Sequence, residues 1–484
     1  MRRSSDVAFA AVLAGAMLFV YRPLLSQPLL LDDVGLFHFL RAGRGLGAGA
    51  SLALAFARCA LPVYFRPLAA PVFWALERLW GAAPLGYRLL MLAAAWSSSL
   101  LVGRVAARLG GGGAAQRTAA ALYALSWVQW SGLTLVAGLP QSLSDLLFWA
   151  ALLAFLRGER PRLAPALALA TAALLLKEHA LVWPLFAAAA AGGTARLEGK
   201  RRTAFVLACA GWGAGYLLLR LALPGHDFAG AAYAPRLDPA AAARGAAVVL
   251  ASLVQSWTAW PAHAGSPGEA LAALALGAAG AFAVLAASPA PPRAPLSRAL
   301  RFAAAGLAAG LLPYLFFPEA LDADSVSRFS LAWGAAAVGL GAAIESALGL
   351  ARAASPKLAA GVWLAAASLL FVRTAALFRH PDGGRRVFAR WPLMAEARRL
   401  ERALAPAAAA AAPGDVFVFS GFRAEDRAPW RLQLLAADGV QARADDAPAG
   451  PAAGRWSVAL RAGASCVDVR PPTGAAWSAC GEAP

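Results

Sequence analysis

The chain has 484 residues, 60% hydrophobic and 14% charged, with a mean hydropathy of +0.59 and a formal net charge of +18. Soluble domains run at roughly 45–50% apolar content, so an ordinary soluble globule is excluded. The basic excess is scattered through short loops rather than gathered on one domain, which argues against nucleic acid as a partner.

Arg2 and Arg3 precede an apolar window at 7–25 that is long enough to cross a ~30 Å hydrocarbon layer. It is read as a retained membrane helix. It is long for the apolar part of a signal peptide, and no small-x-small site follows it before Asp32. Residues 32–84 form a long segment with amphipathic pieces. Further crossings are predicted at about 85–104, 118–137, 140–156, 163–177, 178–194 and 203–223, and then at 268–288, 302–317, 329–350 and 358–377. The glycine run 110–113 looks like a phosphate loop, but no Lys-Ser/Thr follows it, so it reads as a turn. Basic residues alternate between these windows, as in Arg104, Arg108 and Arg117, then Arg157, Arg160 and Arg162, then Arg196 and Lys200 to Arg202. The positive-inside rule makes those loops cytoplasmic. Counting 246–263 as a crossing would put Arg293, Arg298 and Arg301 outside, so it is read as an interfacial helix anchored by Trp257 and Trp260. The expectation is an all-α polytopic membrane protein with about eleven crossings over 1–378, its N-terminus cytoplasmic and its C-terminus periplasmic.

The composition changes after Phe378. Residues 379–404 are Arg-rich with a helical pattern, and the Ala/Pro tract 405–413 reads as a linker. The segments 414–422, 456–460 and 466–470 have strand-like lengths and apolar content. Residues 379–484 are therefore expected to form a small α/β or β-rich domain outside the membrane. Cys466 and Cys480 could close a short loop in an oxidising compartment, whereas Cys59 and Cys209 are isolated and no zinc spacing is present.

Charged residues in these apolar surroundings mark where chemistry could sit. Asp32 and Asp33 follow the first helix directly. Two adjacent acids at a membrane are electrostatically costly, so they point to a catalytic task or a cation; capping of the next helix is the plainer alternative. Arg66, in FRPL, suits bidentate binding of a lipid phosphate or simple headgroup anchoring. Lys177, Glu178 and His179 interrupt LLLKEHALVWPL, as a wet interfacial turn or as part of a site. Arg328 stands before a late helix, in a loop whose acids Asp322 and Asp324 read as ordinary solvation. Asp145 is another acid within a crossing, either a helix-start carboxylate or an intramembrane site residue. The predicted topology puts all of these groups on one side of the membrane.

Taken in order, DD after the first helix, RPL in the first long loop, LLLKE before an inward helix and SRF opening a late helix resemble the membrane-embedded GT-C glycosyltransferases. The likeness is to bacterial members of the protein O-mannosyltransferase group (glycosyltransferase family 39) and its lipid-modifying cousins, over roughly residues 1–380. That resemblance implies a sugar donor on a polyprenyl phosphate, Asp32 as catalytic base with Asp33 as its partner, and Arg66, Lys177 and Arg328 near the donor phosphate. A divalent metal on Asp33 is open, and Glu178, His179 and Asp145 are further site candidates. The chain departs from the family pattern at 86–102, which lacks an Asn and a His, and at 139–145, which lacks an Arg; this leaves the acceptor open among protein, lipid and glycan. The expected activity is inverting glycosyl transfer at the periplasmic face of the bacterial inner membrane. A surface-polysaccharide polymerase or ligase, or a transporter, is the alternative.

Overall fold

The computed structural model describes residues 2–30, 32–55, 66–158, 162–192, 199–222, 293–315, 330–354, 357, 391–412, 415–420, 441–444, 455–460, 466–470 and 477–480. Helices dominate. Five of the described helices are long and apolar enough to cross a membrane: Ser4–Leu25, Pro84–Arg108, Val136–Phe155, Lys200–Leu219 and Ser330–Gly349. At 1.5 Å per residue, stretches of this length match a ~30 Å hydrocarbon layer.

In chain order, α1 (Arg2–Leu25) is followed by three short helices, α2 (Asp32–Ala42), α3 (Ala48–Ala55) and α4 (Ala69–Trp80). These fall within the segment expected at 32–84 to carry amphipathic pieces; α4 is amphipathic, whereas α3, AGASLALA, is not. Then come α5 (Pro84–Arg108), α6 (Gly113–Ala124), α7 (Trp127–Thr134), α8 (Leu139–Phe155), α9 (Leu163–Leu176), α10 (Trp183–Ala191) and α11 (Lys200–Ala222). Further on are α12 (Arg293–Leu315) and α13 (Ser330–Ala354). The stretches 246–263, 268–288 and 358–377 lie outside the described residues.

Two expected crossings take a different form. The window 118–137 is not one helix: α6 ends at Ala124, and α7 restarts after Ser126, whose hydroxyl caps it by accepting from the Gln129 N–H at 3.3 Å. The single hydroxyl hydrogen of Tyr21 in α1 is donated to the carbonyl of Ala124 at 2.6 Å, with that of Ser126 at 3.3 Å sharing it, so the break has an internal donor. The window 178–194 opens as a 3-10 turn, Glu178–Val182, because Lys177 is fully extended and Pro184 starts a new helix in the first turn of α10.

Packing separates inner helices from peripheral ones. The membrane-length windows of α8 and α13 are each 61% buried, against 28% for α1 and 17% for α11. Val7, Val12, Val206, Leu207 and Leu218 lie exposed on the two peripheral helices, an apolar outer surface suited to lipid. Inside, Trp149 meets Phe148, Tyr123 and Phe186 edge-on, and Phe186 in turn meets Phe302 of α12. Small residues let backbones approach: a Cβ on Gly310 would strike the backbone of Ala332, and one on Gly341 would strike the Ala115 carbonyl.

The C-terminal part holds α14 (Trp391–Ala410) and a five-stranded sheet of β1 (Val416–Ser420), β2 (Gln441–Ala444), β3 (Arg455–Leu460), β4 (Cys466–Arg470) and β5 (Trp477–Cys480). The strand order is β2-β1-β3-β4-β5, parallel for β1 with β2 and β3 and antiparallel from β3 to β5. In β1, Val416, Phe417, Val418 and Phe419 are all buried, as an interior strand covered on both faces requires. The tract expected as a linker instead prolongs α14 through Pro406 to Ala410, carried by alanines of high helix propensity. Leu400, Ala403, Leu404 and Ala407 form its buried stripe, and it packs against β4 and β5.

Candidate functional site

Asp33 lies in the first turn of α2 and is completely buried. Its Oδ2 accepts from the Leu30 N–H at 3.1 Å and its Oδ1 from the Ala137 N–H at 2.7 Å. The Asp33 N–H donates back to the Leu30 carbonyl at 2.7 Å, closing the turn ahead of the helix. Ala137 belongs to the 3-10 turn Val136–Gly138 that leads into α8, so one carboxylate ties the start of α2 to the start of α8. Arg88 of α5, also buried, donates to the carbonyls of Gln27 and Pro28, the second at 2.8 Å. Burial pushes the Asp33 carboxyl up from the ordinary carboxylate range, against the pull of the Ala137 and Leu30 N–H groups and the Arg88 charge.

One turn into α8, Gln141 and Asp145 share a face by their four-residue spacing. The Gln141 Oε1 accepts from the Lys177 ammonium, and its Nε2 donates to the Ser330 hydroxyl at 3.2 Å, linking α8, the end of α9 and the start of α13. Below it, Asp145 Oδ1 lies 2.8 Å from His179 Nε2, and Tyr123 donates to Oδ2 at 3.4 Å. All three of these side chains are buried. Ser144 fastens the same helix to α9 by donating to the Ala173 carbonyl at 2.8 Å.

Arg66 grips Glu178 with two bonds of 2.9 Å, from Nε to Oε2 and from the second guanidinium nitrogen to Oε1. The segment that carries it is pinned by the Leu68 N–H, which donates to the Leu175 carbonyl at 3.1 Å. Burial alone would raise the Glu178 carboxyl, but the Arg66 charge and hydrogen bonds outweigh it and hold the group down at about 2. The pair is a fixed, bidentate clamp between the loop before α4 and the α9–α10 connection.

Asp33, Asp145, Lys177, Glu178, His179 and Arg66 thus gather around the first turns of α8 and the connection after α9. Asp32 opens α2 beside Asp33, and Arg328 lies outside the described residues. Asp33 is wholly buried with a backbone N–H on each oxygen. Among the described residues, no group of three or more His, Cys, Asp or Glu side chains could hold a metal ion.

Gln141, Arg88, Tyr123 and Ser330 join these networks without having been expected. For Gln141 the signal was available, a polar residue four before Asp145 in an apolar helix. For Arg88 it was a lone cation inside GYRLLMLAAAWSSSLLV. No protein-family model matches the chain, and neither does any curated protein or solved structure.

Proposed function

We propose that the chain is a glycosyltransferase of the bacterial inner membrane, moving a sugar from a polyprenyl-phosphate donor to a hydroxyl acceptor at the periplasmic face. What supports this reading is the gathering of acids and cations around the start of α8, within a bundle whose outer helices are apolar. A lipid-linked anionic donor needs that combination: hydrocarbon for its tail and positive charge for its phosphate.

In this reading Asp33 is the anchor and Asp32 the base. The two buried N–H bonds of Asp33 fix the turn that carries Asp32. Asp32 takes the proton of the acceptor hydroxyl while the acceptor oxygen bonds to the anomeric carbon. The carbon–oxygen bond to the lipid phosphate breaks, the configuration inverts, and the phosphate leaves as an anion without needing a proton. Lys177 and Arg328 stabilise that charge. The charge of Arg66 is shared with Glu178, which makes Arg66 the member that shapes the loop beside the donor.

Transfer measured in vitro from polyprenyl-phosphate sugars tests this directly. Asp32→Asn is expected to lower turnover by about 10²–10⁴-fold, the range set by loss of a general base. Turnover equal to wild type removes Asp32 from the mechanism.

A further inference from the structure

We propose that Cys466 and Cys480 are joined in a disulfide that closes the edge hairpin of the C-terminal sheet; this rests on the reading that the sheet faces the periplasm. In the antiparallel pairing of β4 with β5, Cys466 stands directly opposite Cys480. Directly opposed residues of such a ladder share a face and hold their Cα atoms about 4.5–5.5 Å apart. That spacing falls inside the roughly 4.4–6.8 Å that a disulfide requires. The chain has four cysteines; two of them land on a single register position, and Cys209 lies buried without a cysteine partner in α11.

The bond also answers a weakness of the fold. Among the described strands β5 is a four-residue edge strand paired on one side only, and Cys480 is its last residue. Short edge strands are held by few ladder bonds. A covalent link at that end fastens the strand to β4, against which α14 also packs. The chemistry balances by thiol–disulfide exchange. The two thiols lose two protons and two electrons as the sulfur–sulfur bond forms, and a disulfide-bearing thiol oxidant of the periplasm is reduced to its dithiol. A cytosolic location would keep both thiols reduced.

The test uses the full-length chain in its own membrane. Cells are quenched in acid, free thiols are blocked, disulfides are reduced, and newly exposed thiols are tagged with a maleimide polymer that shifts mobility on a gel. The expected result is two tags that appear only after reduction, both lost in Cys466→Ser and both lost in Cys480→Ser, with one cross-linked peptide spanning the two positions by mass spectrometry. The proposal is overturned if both thiols react before reduction, and an impermeant maleimide applied to spheroplasts then tells which premise failed. Labelling by that reagent leaves the periplasmic reading standing and removes the bond alone, whereas protection from it, with labelling by a permeant reagent, removes both. Glycosyl transfer is scored separately, so a missing bond and a missing activity are distinguishable.

Discussion

A carboxylate whose two oxygens each hold a backbone N–H cannot become an amide without setting one donor against another. Asp33→Asn is therefore expected to destabilise the protein by about 1–3 kcal/mol, read as a lower unfolding midpoint in detergent. Asp32→Asn is expected to leave that midpoint in place while turnover falls. The Arg66–Glu178 clamp carries its own pH signature. The Glu178 carboxyl is held at about 2 in the fold against an ordinary 4.5, so its stabilisation is complete above about 4.5 and is lost as pH falls toward 2. The midpoint difference between wild type and Glu178→Gln should accordingly be the same at pH 8 and pH 6 and shrink below about 4.5. On the proposed role of Lys177 at a donor phosphate, Lys177→Met should cost about 10- to 100-fold in kcat/KM, the worth of one charged hydrogen bond. Asp33, Asp145, Arg66 and the Lys177–His179 run were legible because charge in apolar sequence demands a reason. Their partners were not. The Leu30 and Ala137 N–H groups carry no sequence signal, and Arg66 meets Glu178 across 112 positions of chain.

Helices were legible as apolar stretches more than as continuous rods. A hydropathy window measures how much lipid a segment tolerates, and it is blind to a cap such as Ser126 or an extended residue such as Lys177. That is why 118–137 and 178–194 read as single crossings. The strands β2 and β5, QARA and WSAC, escaped notice because four residues are too few for alternation to stand out, whereas VFVFS announced itself by β-propensity. Close helix pairs were equally silent in the sequence, since a glycine needed for contact looks like any other. Gly341→Leu is expected to push α13 away from α6, because the space for a side chain is taken by the Ala115 carbonyl and Ala119. Overpacking of this kind costs about 1–3 kcal/mol, measurable as a lower thermal midpoint.

Among the described helices, burial centres on α8 and α13, while α1 and α11 form an apolar periphery. Leu218 on α11 is two-thirds exposed, and it should accept Ala with little change. Leu218→Arg is expected to reduce membrane insertion by about 2.5–3.5 kcal/mol if that position lies near the middle of the layer, checked by a glycosylation-tag insertion assay. The break between α6 and α7 bears on how such a body is assembled. Its two carbonyls are served by Tyr21, more than a hundred positions upstream, so the donor has left the ribosome long before its acceptors are made. Translation delivers the plug first and the gap afterwards. A gene rearranged to encode the first 25 residues last would reverse that timetable, leaving nascent chains with an unsealed joint and exposing them to quality-control proteolysis.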